Sequence, residues 1–270
     1  MKALCVMKYI IFLLLICVTT LGAGELKVVS LSPALTELIC FLGKEKLLVG
    51  RSEVCNYPAS VKKLPVAGRL AIPFVEKSIA LKPDLLVAND LVNPGVKAAL
   101  ERAGIKTLVM PCRSMADYKK CVEILGKELD AREAAARELE RIARWENKPR
   151  KKTDLKVLWV VWDTPLLTPG KRALLHDIIL KTGSENATGE FDQEYMRPSF
   201  DKLLKKDIDV IIWSASSAGW KQRRVWQKFS AVQKKRVLED LHQDALLRPG
   251  PRLPEAVDNL KKQLEKWSAK

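Results

Sequence analysis

The stretch whose residue types and placement best suggest covalent chemistry is Ala215-Ser216-Ser217-Ala218-Gly219. It follows Asp209-Val210-Ile211-Ile212-Trp213, an apolar run that reads as a strand, so Ser217 stands where a nucleophile elbow would hold its serine. Ala215 replaces the first glycine of that elbow, His242 is the base one would nominate, and spacing singles out no acid. An exported serine hydrolase using Ser217 is thus one reading; small polar residues in an ordinary loop after a strand are the simpler one. Pro169-Gly170-Lys171-Arg172 has the glycine–lysine step of a phosphate-binding loop, but Pro165 stands where the first glycine belongs and Arg172 where Ser or Thr is needed. The two histidines, His176 and His242, are far apart, which nearly excludes a multi-histidine metal centre.

These candidates lie on loops that regular elements must position. From Glu25 onward, short apolar runs alternate with amphipathic stretches. Leu26 to Leu31 reads as a strand, and Ser32-Pro33 opens a helix from Ala34 to Leu42 with an N-cap residue and proline in the first turn. Strands at Leu47 to Gly50, Asp84 to Ala88 and Ile105 to Met110 alternate with helices at Glu76 to Ala80 and Pro94 to Ala103. Gly43, Gly104 and, further on, Gly183 stand where helices must stop. Ser114 can cap a helix from Met115 to Leu125. Asp130 with Glu133 predicts a capping box for Ala131 to Glu146, a run of strong helix formers with no Gly or Pro inside it. Asn147-Lys148-Pro149-Arg150-Lys151-Lys152 breaks that run. Alternation then resumes with a strand over Leu155 to Trp162, a helix over Ala173 to Thr182, the strand ending at Trp213 and a closing helix from Leu253 to Trp267. The expected fold class is α/β: two parallel-sheet-rich lobes joined by one long rigid helix, with a ligand cleft between them. The division is residues 25–127 for the first lobe, 128–152 for the connecting helix and linker, and 153–270 for the second.

Residues 1–24 read as an export signal. Lys2 and Lys8 form the basic region, Tyr9 to Val18 the apolar core, and Gly22-Ala23-Gly24 the small-residue cleavage site. Ile16 before Cys17 does not suit a lipoprotein signal. The exported chain keeps Cys40, Cys55, Cys112 and Cys121, whose three alternative pairings spacing leaves open. The balance of 47 Lys plus Arg against 32 Asp plus Glu gives a net charge of +15. Lys221-Gln222-Arg223-Arg224 and Lys234-Lys235-Arg236 are the basic patches on which an envelope nucleic-acid-binding protein would rest. Export argues against that partner and for solvated basic faces.

The order Val28-Val29-Ser30-Leu31-Ser32-Pro33-Ala34-Leu35-Thr36-Glu37-Leu38, then Val49-Gly50-Arg51-Ser52-Glu53-Val54-Cys55-Asn56-Tyr57-Pro58, resembles the helical-backbone substrate-binding proteins of ABC importers. The resemblance continues through Leu64-Pro65-Val66-Ala67-Gly68, Glu76 to Leu85, Thr168-Pro169-Gly170-Lys171, Gly183-Ser184-Glu185-Asn186-Ala187 and Leu247-Arg248-Pro249-Gly250-Pro251-Arg252. It implies an exported binding protein without catalytic activity or resident cofactor. Such a protein works as a monomer and delivers a metal chelate, a ferric siderophore or a corrinoid such as cobalamin, to a membrane permease and its ATPase subunits. The cobalamin branch is suggested by Cys55-Asn56-Tyr57-Pro58 and Arg248 to Arg252. Its aromatic ligand positions fall at Val54, at Arg69 or Leu70, and at Asn89. Arg69 resembles the arginine that holds anionic hydroxamate siderophores, which favours an iron chelate slightly; the tyrosine of haem binders near Gly68 is missing, which disfavours haem. The resemblance also places permease docking on Glu76 and Asp201, the latter an aspartate where the family has glutamate. Independently, ligands of open α/β sheets bind beyond the carboxyl ends of strands, and Arg69, Asn89, Trp162 and Trp220 all follow or end predicted strands. They are the expected ligand-binding residues.

Overall fold

The computed structural model describes residues 25–91, 93–239, 241 and 243–268. The export signal expected over residues 1–24, and His242, lie outside the described residues. Among the described residues no helix is long and apolar enough to cross a membrane.

The first lobe is built on strands β1 (Val28–Ser30), β2 (Leu48–Ser52), β3 (Val66–Arg69), β4 (Ile72–Pro73), β5 (Leu85–Ala88) and β6 (Lys106–Val109), in the order β4-β3-β2-β1-β5-β6. Neighbours are parallel except β4, which folds back on β3 and pairs Arg69 with Ile72. Alternation along the central strands serves both faces of the sheet. Val28, Leu85 and Val87 face a core with Leu35, Leu38, Tyr118 and Leu125, whereas Val29, Leu31 and Leu86 face Leu100 and Ile105. Helix α1 (Pro33–Phe41) starts as expected: the Ser32 hydroxyl accepts from the Leu35 N–H and Pro33 occupies the first turn. Helices α2 (Val75–Ala80), α3 (Pro94–Arg102) and α4 (Met115–Glu128) follow, the last with a capping box between Ser114 and Asp117. Gly43, Gly104 and Gly183 have φ of 76°, 82° and 90°, left-handed values that glycine adopts without a Cβ clash, so all three stop helices as expected.

Helix α5 (Arg132–Glu146) is the connecting helix. The capping box expected on Asp130 does not form. The chain must reverse within three residues between α4 and α5, and Asp130 makes that turn in the left-handed region (φ 49°), leaving Ala131 as an N-cap without a side-chain bond. Gly126 of α4 packs against Ala135 so closely that an added Cβ would lie 2.4 Å from the Ala135 methyl. The helix belongs to both cores: Ala135 and Ile142 are buried in the first lobe, Trp145 in the second.

In the second lobe, β7 (Lys156–Val160) ends two residues earlier than expected. Trp162 and Asp163 form β8, which turns back to pair with β9 (Leu166–Pro169). After α6 (Leu174–Lys181) come the short strands β10 (Glu185–Asn186) and β11 (Tyr195–Met196), then α7 (Phe200–Leu204) and β12 (Val210–Trp213). Helices α8 (Arg224–Gln227) and α9 (Ser230–Gln233), β13 (Val237–Leu238), α10 (Gln243–Leu246) and α11 (Leu253–Glu265) complete the chain. The main sheet is parallel, ordered β10-β7-β12-β13, with a small antiparallel sheet β11-β9-β8 beside it. Here too the alternation is strict: Val157, Trp159, Val210 and Ile212 face α6 and α11, while Leu158, Val160, Ile211 and Trp213 face an aromatic cluster. The α/β expectation for both lobes is met.

Candidate functional site

Loops at the carboxyl ends of the two parallel sheets are turned toward each other, and direct bonds between them define the bottom of a cleft. From the first lobe, Asn56 and Tyr57 lie beyond β2 and Cys112 beyond β6; from the second, Asp244 lies on α10 beyond β13. Asn56 Nδ2 donates to Asp244 Oδ2 at 2.6 Å, and the Arg252 guanidinium lies 3.9 Å over the Tyr57 ring. The Cys112 thiol donates to the Pro249 carbonyl at 3.8 Å.

The centre of this floor is Glu37, on α1 and 4% exposed. It accepts a bidentate pair from Arg252, Nη2 to Oε1 at 2.6 Å and Nε to Oε2 at 2.8 Å, and a third bond from Arg248 Nη1 at 3.3 Å. Arg248 also donates to Asn56 Oδ1 and Asp244 Oδ1. Burial alone would lower the Arg252 pKa; the hydrogen bonds and charge of Glu37 outweigh it and hold the guanidinium above its ordinary value. Two further ties run beside this one. Glu138 accepts from Tyr118 Oη and from Arg141, whose Nη2 donates on to the Pro251 carbonyl at 2.7 Å. Asp258 of α11 accepts from Trp145, Lys148 and Arg150 at the far end of α5. The Asn56-Tyr57 and Arg248-to-Arg252 blocks, separate in sequence, are therefore two halves of one interlobe joint.

Above the floor the loops carry side chains with few partners. Arg69 ends β3 with a side chain 64% exposed, its one ion pair among the described residues a 3.8 Å approach to exposed Glu53. The turn beyond it holds Ala71 at φ 58° and leaves Leu70 and Ile72 exposed. Asn89 ends the β5 strand run, and its Oδ1 accepts from the Ser32 hydroxyl at 2.7 Å, which fixes the amide beside the N-terminus of α1. Across the cleft Trp162 is 53% exposed, oriented by a 3.0 Å bond from its indole nitrogen to the Thr164 carbonyl. With Thr164 and Ala215 to Ser217 it borders a pocket of about 140 Å³. Behind it Asp163 is buried against Arg223.

The expected residues thus divide. Arg69, Asn89 and Trp162 are on the cleft loops and accessible. Trp220 is not: it is 2% exposed, stacked on Trp213 at 3.8 Å with 3° between the rings, and its indole nitrogen donates to Glu239 at 2.7 Å. It is a core residue because the loop from Ser214 to Gly219 turns its ring back onto β12. Burial raises the Glu239 carboxyl, and bonds from Lys221 and Trp220 more than offset this, holding it below the usual carboxylate range. Lys221 and Arg223, two of the three basic residues of the first patch, are engaged by Glu239 and Asp163. Ser217 Oγ is buried without a hydrogen-bond partner among the described residues. Gly170 serves backbone packing, since a Cβ there would lie 2.3 Å from the Gln193 carbonyl oxygen. Glu76 and Asp201 are both exposed and both in the first turn of a helix, one on each lobe. Sequence reading missed Tyr57 and Ile72 as accessible apolar groups on these loops, although both follow the carboxyl end of a strand.

Two lobes pinned on a long helix, with carboxyl-end loops facing across a cleft, are the architecture of a solute-binding protein. Residues 28–243 match the periplasmic binding protein family, and the chain belongs to it. A vitamin B12-binding protein of Vibrio vulnificus is 26% identical over 268 residues, covering 94% of this chain and 96% of its own. An uncharacterised ABC transporter substrate-binding lipoprotein of Bacillus subtilis is 27% identical over 250 residues, covering 87% of this chain and 78% of its own. Among solved structures, the periplasmic haem-binding protein BhuT with two haems superposes with a TM-score of 0.79 at 26% identity, covering 91% of this chain and 100% of that one. The vitamin B12-binding protein of Vibrio cholerae superposes with a TM-score of 0.69 at 23% identity, covering 90% and 98%.

Proposed function

We propose that this chain captures a corrinoid outside the cytoplasm and hands it to the permease of an ABC importer. The observation that carries the reading is exposed apolar surface on the carboxyl-end loops of both lobes, Trp162 on the second and Tyr57, Leu70 and Ile72 on the first. A flat macrocycle is the chelate that such a slot suits, since burying ring faces against aromatic and aliphatic side chains releases ~25 cal/mol for each Å² removed from water. This shifts the balance away from the iron chelate that Arg69 alone suggests. Asn89 then serves the polar periphery of the ligand, its amides, and Arg69 stays solvated at the edge of the slot. The relatives named for vitamin B12 support the same choice. Delivery uses Glu76 and Asp201, an exposed carboxylate from each lobe, against cationic groups of the two membrane subunits.

The experiment is a tryptophan-quenching titration with cyanocobalamin, haemin and a ferric hydroxamate siderophore in parallel. Saturable quenching by cyanocobalamin, with the siderophore inert, is the expected result. Tight binding of the siderophore with both macrocycles inert would overturn the reading, and preference for haemin would move the ligand class while leaving the slot.

A further inference from the structure

We propose that Cys112 and Cys121 close a disulfide in the exported protein, while Cys40 and Cys55 remain thiols. In the structure all four sulfurs are thiols, and the proposal concerns the oxidised chain. Cys112 lies in the loop between β6 and α4, Cys121 in the second turn of α4, and both are buried in the same core. The Cys121 thiol donates at 3.7 Å to the carbonyl of Pro111, the peptide that continues into Cys112. The two thiols are thus brought to neighbouring positions of one core, one bonded to the Pro249 carbonyl and the other to that of Pro111. Cys55 is occupied differently: its sulfur sits 3.2 Å from Thr36 Oγ1 and 3.1 Å from Ser52 Oγ, in a pocket of hydroxyls. Cys40 is half-buried on α1, and burial together with Glu45 and Glu37 pushes its thiol up to about 12, which starves it of thiolate.

The oxidant is the reactive disulfide of an envelope thiol oxidoreductase, the class of reagent found where exported proteins fold. The Cys121 thiolate attacks that disulfide, forming a mixed disulfide and releasing one thiol of the oxidant. Cys112 sulfur then attacks Cys121 within the mixed disulfide, the Cys112–Cys121 bond forms, and the second thiol leaves. Two protons and two electrons pass from the protein pair to the oxidant. The opposite order, with Cys112 attacking first, balances in the same way and gives the same bond. Because both sulfurs are enclosed in the folded lobe, exchange takes place before α4 docks. The cross-link ties the loop that touches Pro249, so it braces the first lobe beside the interlobe joint.

Wild-type protein exported into an oxidising envelope is denatured in iodoacetamide without reductant and digested with trypsin. Arg113, Lys119 and Lys120 lie between the two cysteines, so cleavage separates them unless the disulfide holds. The expected result is one linked pair of fragments carrying Cys112 and Cys121, with Cys40 and Cys55 alkylated. Alkylation of all four, or a link through Cys40 or Cys55, overturns the proposal. A second measurement needs no variant and no ligand. The thermal midpoint of exported protein unfolded and refolded in a phosphine reductant should lie roughly 5–10 °C below that of protein refolded without it. An unchanged midpoint also overturns it. Neither readout depends on which chelate is bound, so failure here is separate from failure of the corrinoid reading.

Discussion

The floor and the rim of the cleft are built on opposite principles. At the floor Glu37, Arg248, Arg252, Asn56 and Asp244 satisfy one another, and Arg141 and Asp258 add two more ties between α5 and the second lobe. At the rim, Arg69 has a single long ion pair and Trp162 a single backbone bond. Polar groups at the floor are used up in holding lobes together, and groups at the rim are left for something else. The difference teaches where stiffness and recognition reside. A joint made of this many ties leaves little room for a wide hinge motion.

The largest effect should come from breaking the floor. Glu37→Gln leaves the mostly buried Arg252 guanidinium with a neutral partner, while Arg248 keeps Asp244, a loss of about 3–5 kcal/mol for a broken buried pair. A thermal melt should show a drop of roughly 6–15 °C. A variant as stable as the wild type would mean that Glu37 is not a structural centre.

Next comes the rim, where the expected loss is in affinity and not in stability. Trp162→Ala should cost about 2 kcal/mol of binding, some thirty-fold in Kd, with an unchanged melt. Arg69→Ala sharpens the ligand class: an anionic chelate should lose about 1.5–3 kcal/mol, one to two decades, whereas a neutral corrinoid should lose little. Calorimetric titration of both variants against cyanocobalamin reads these outcomes. A Trp162 variant that binds as tightly as wild type would remove that residue from the ligand wall.

A smaller effect concerns pH. Burial alone would raise the Asp258 carboxyl, but bonds from Arg150 and Lys148 hold it below the ordinary aspartate value of 3.8. A depressed folded-state pKa contributes stability that is full above the unfolded value and lost as pH falls through the folded one. Asp258→Asn should therefore cost about 1 kcal/mol near neutrality, allowing for partial exposure, and the gap to wild type should close below about pH 4. A gap that is constant down to the acid limit would show that the carboxylate charge is not what matters. The smallest effect in solution belongs to Glu76→Gln with Asp201→Asn. Stability should change by less than about 0.5 kcal/mol and ligand affinity not at all, while uptake in cells falls. Normal uptake by the double variant would return both acids to helix capping.

Much of the frame was legible in the sequence because it is local. Ser32-Pro33 and Ser114 announce helix starts, Gly43, Gly104 and Gly183 announce stops, and apolar runs announce strands. The misses are tertiary. Asp130 was read as a cap, but the reversal between α4 and α5 required it in the turn. Trp162 and Trp220 both follow strands, and no local pattern tells which ring faces solvent; the stack on Trp213 decides it. The Glu37–Arg252 pair joins positions 215 residues apart, so the sequence shows two family-like blocks and not the joint they form.

The stiff joint is the central claim, and small-angle scattering on the wild-type chain with and without saturating cyanocobalamin tests it most directly. The profiles of the two states should superimpose, with measurable change on ligand binding only when Glu37 is replaced by Gln. A ligand-induced closure of the wild-type chain as large as that of flexible-hinge binding proteins would contradict it.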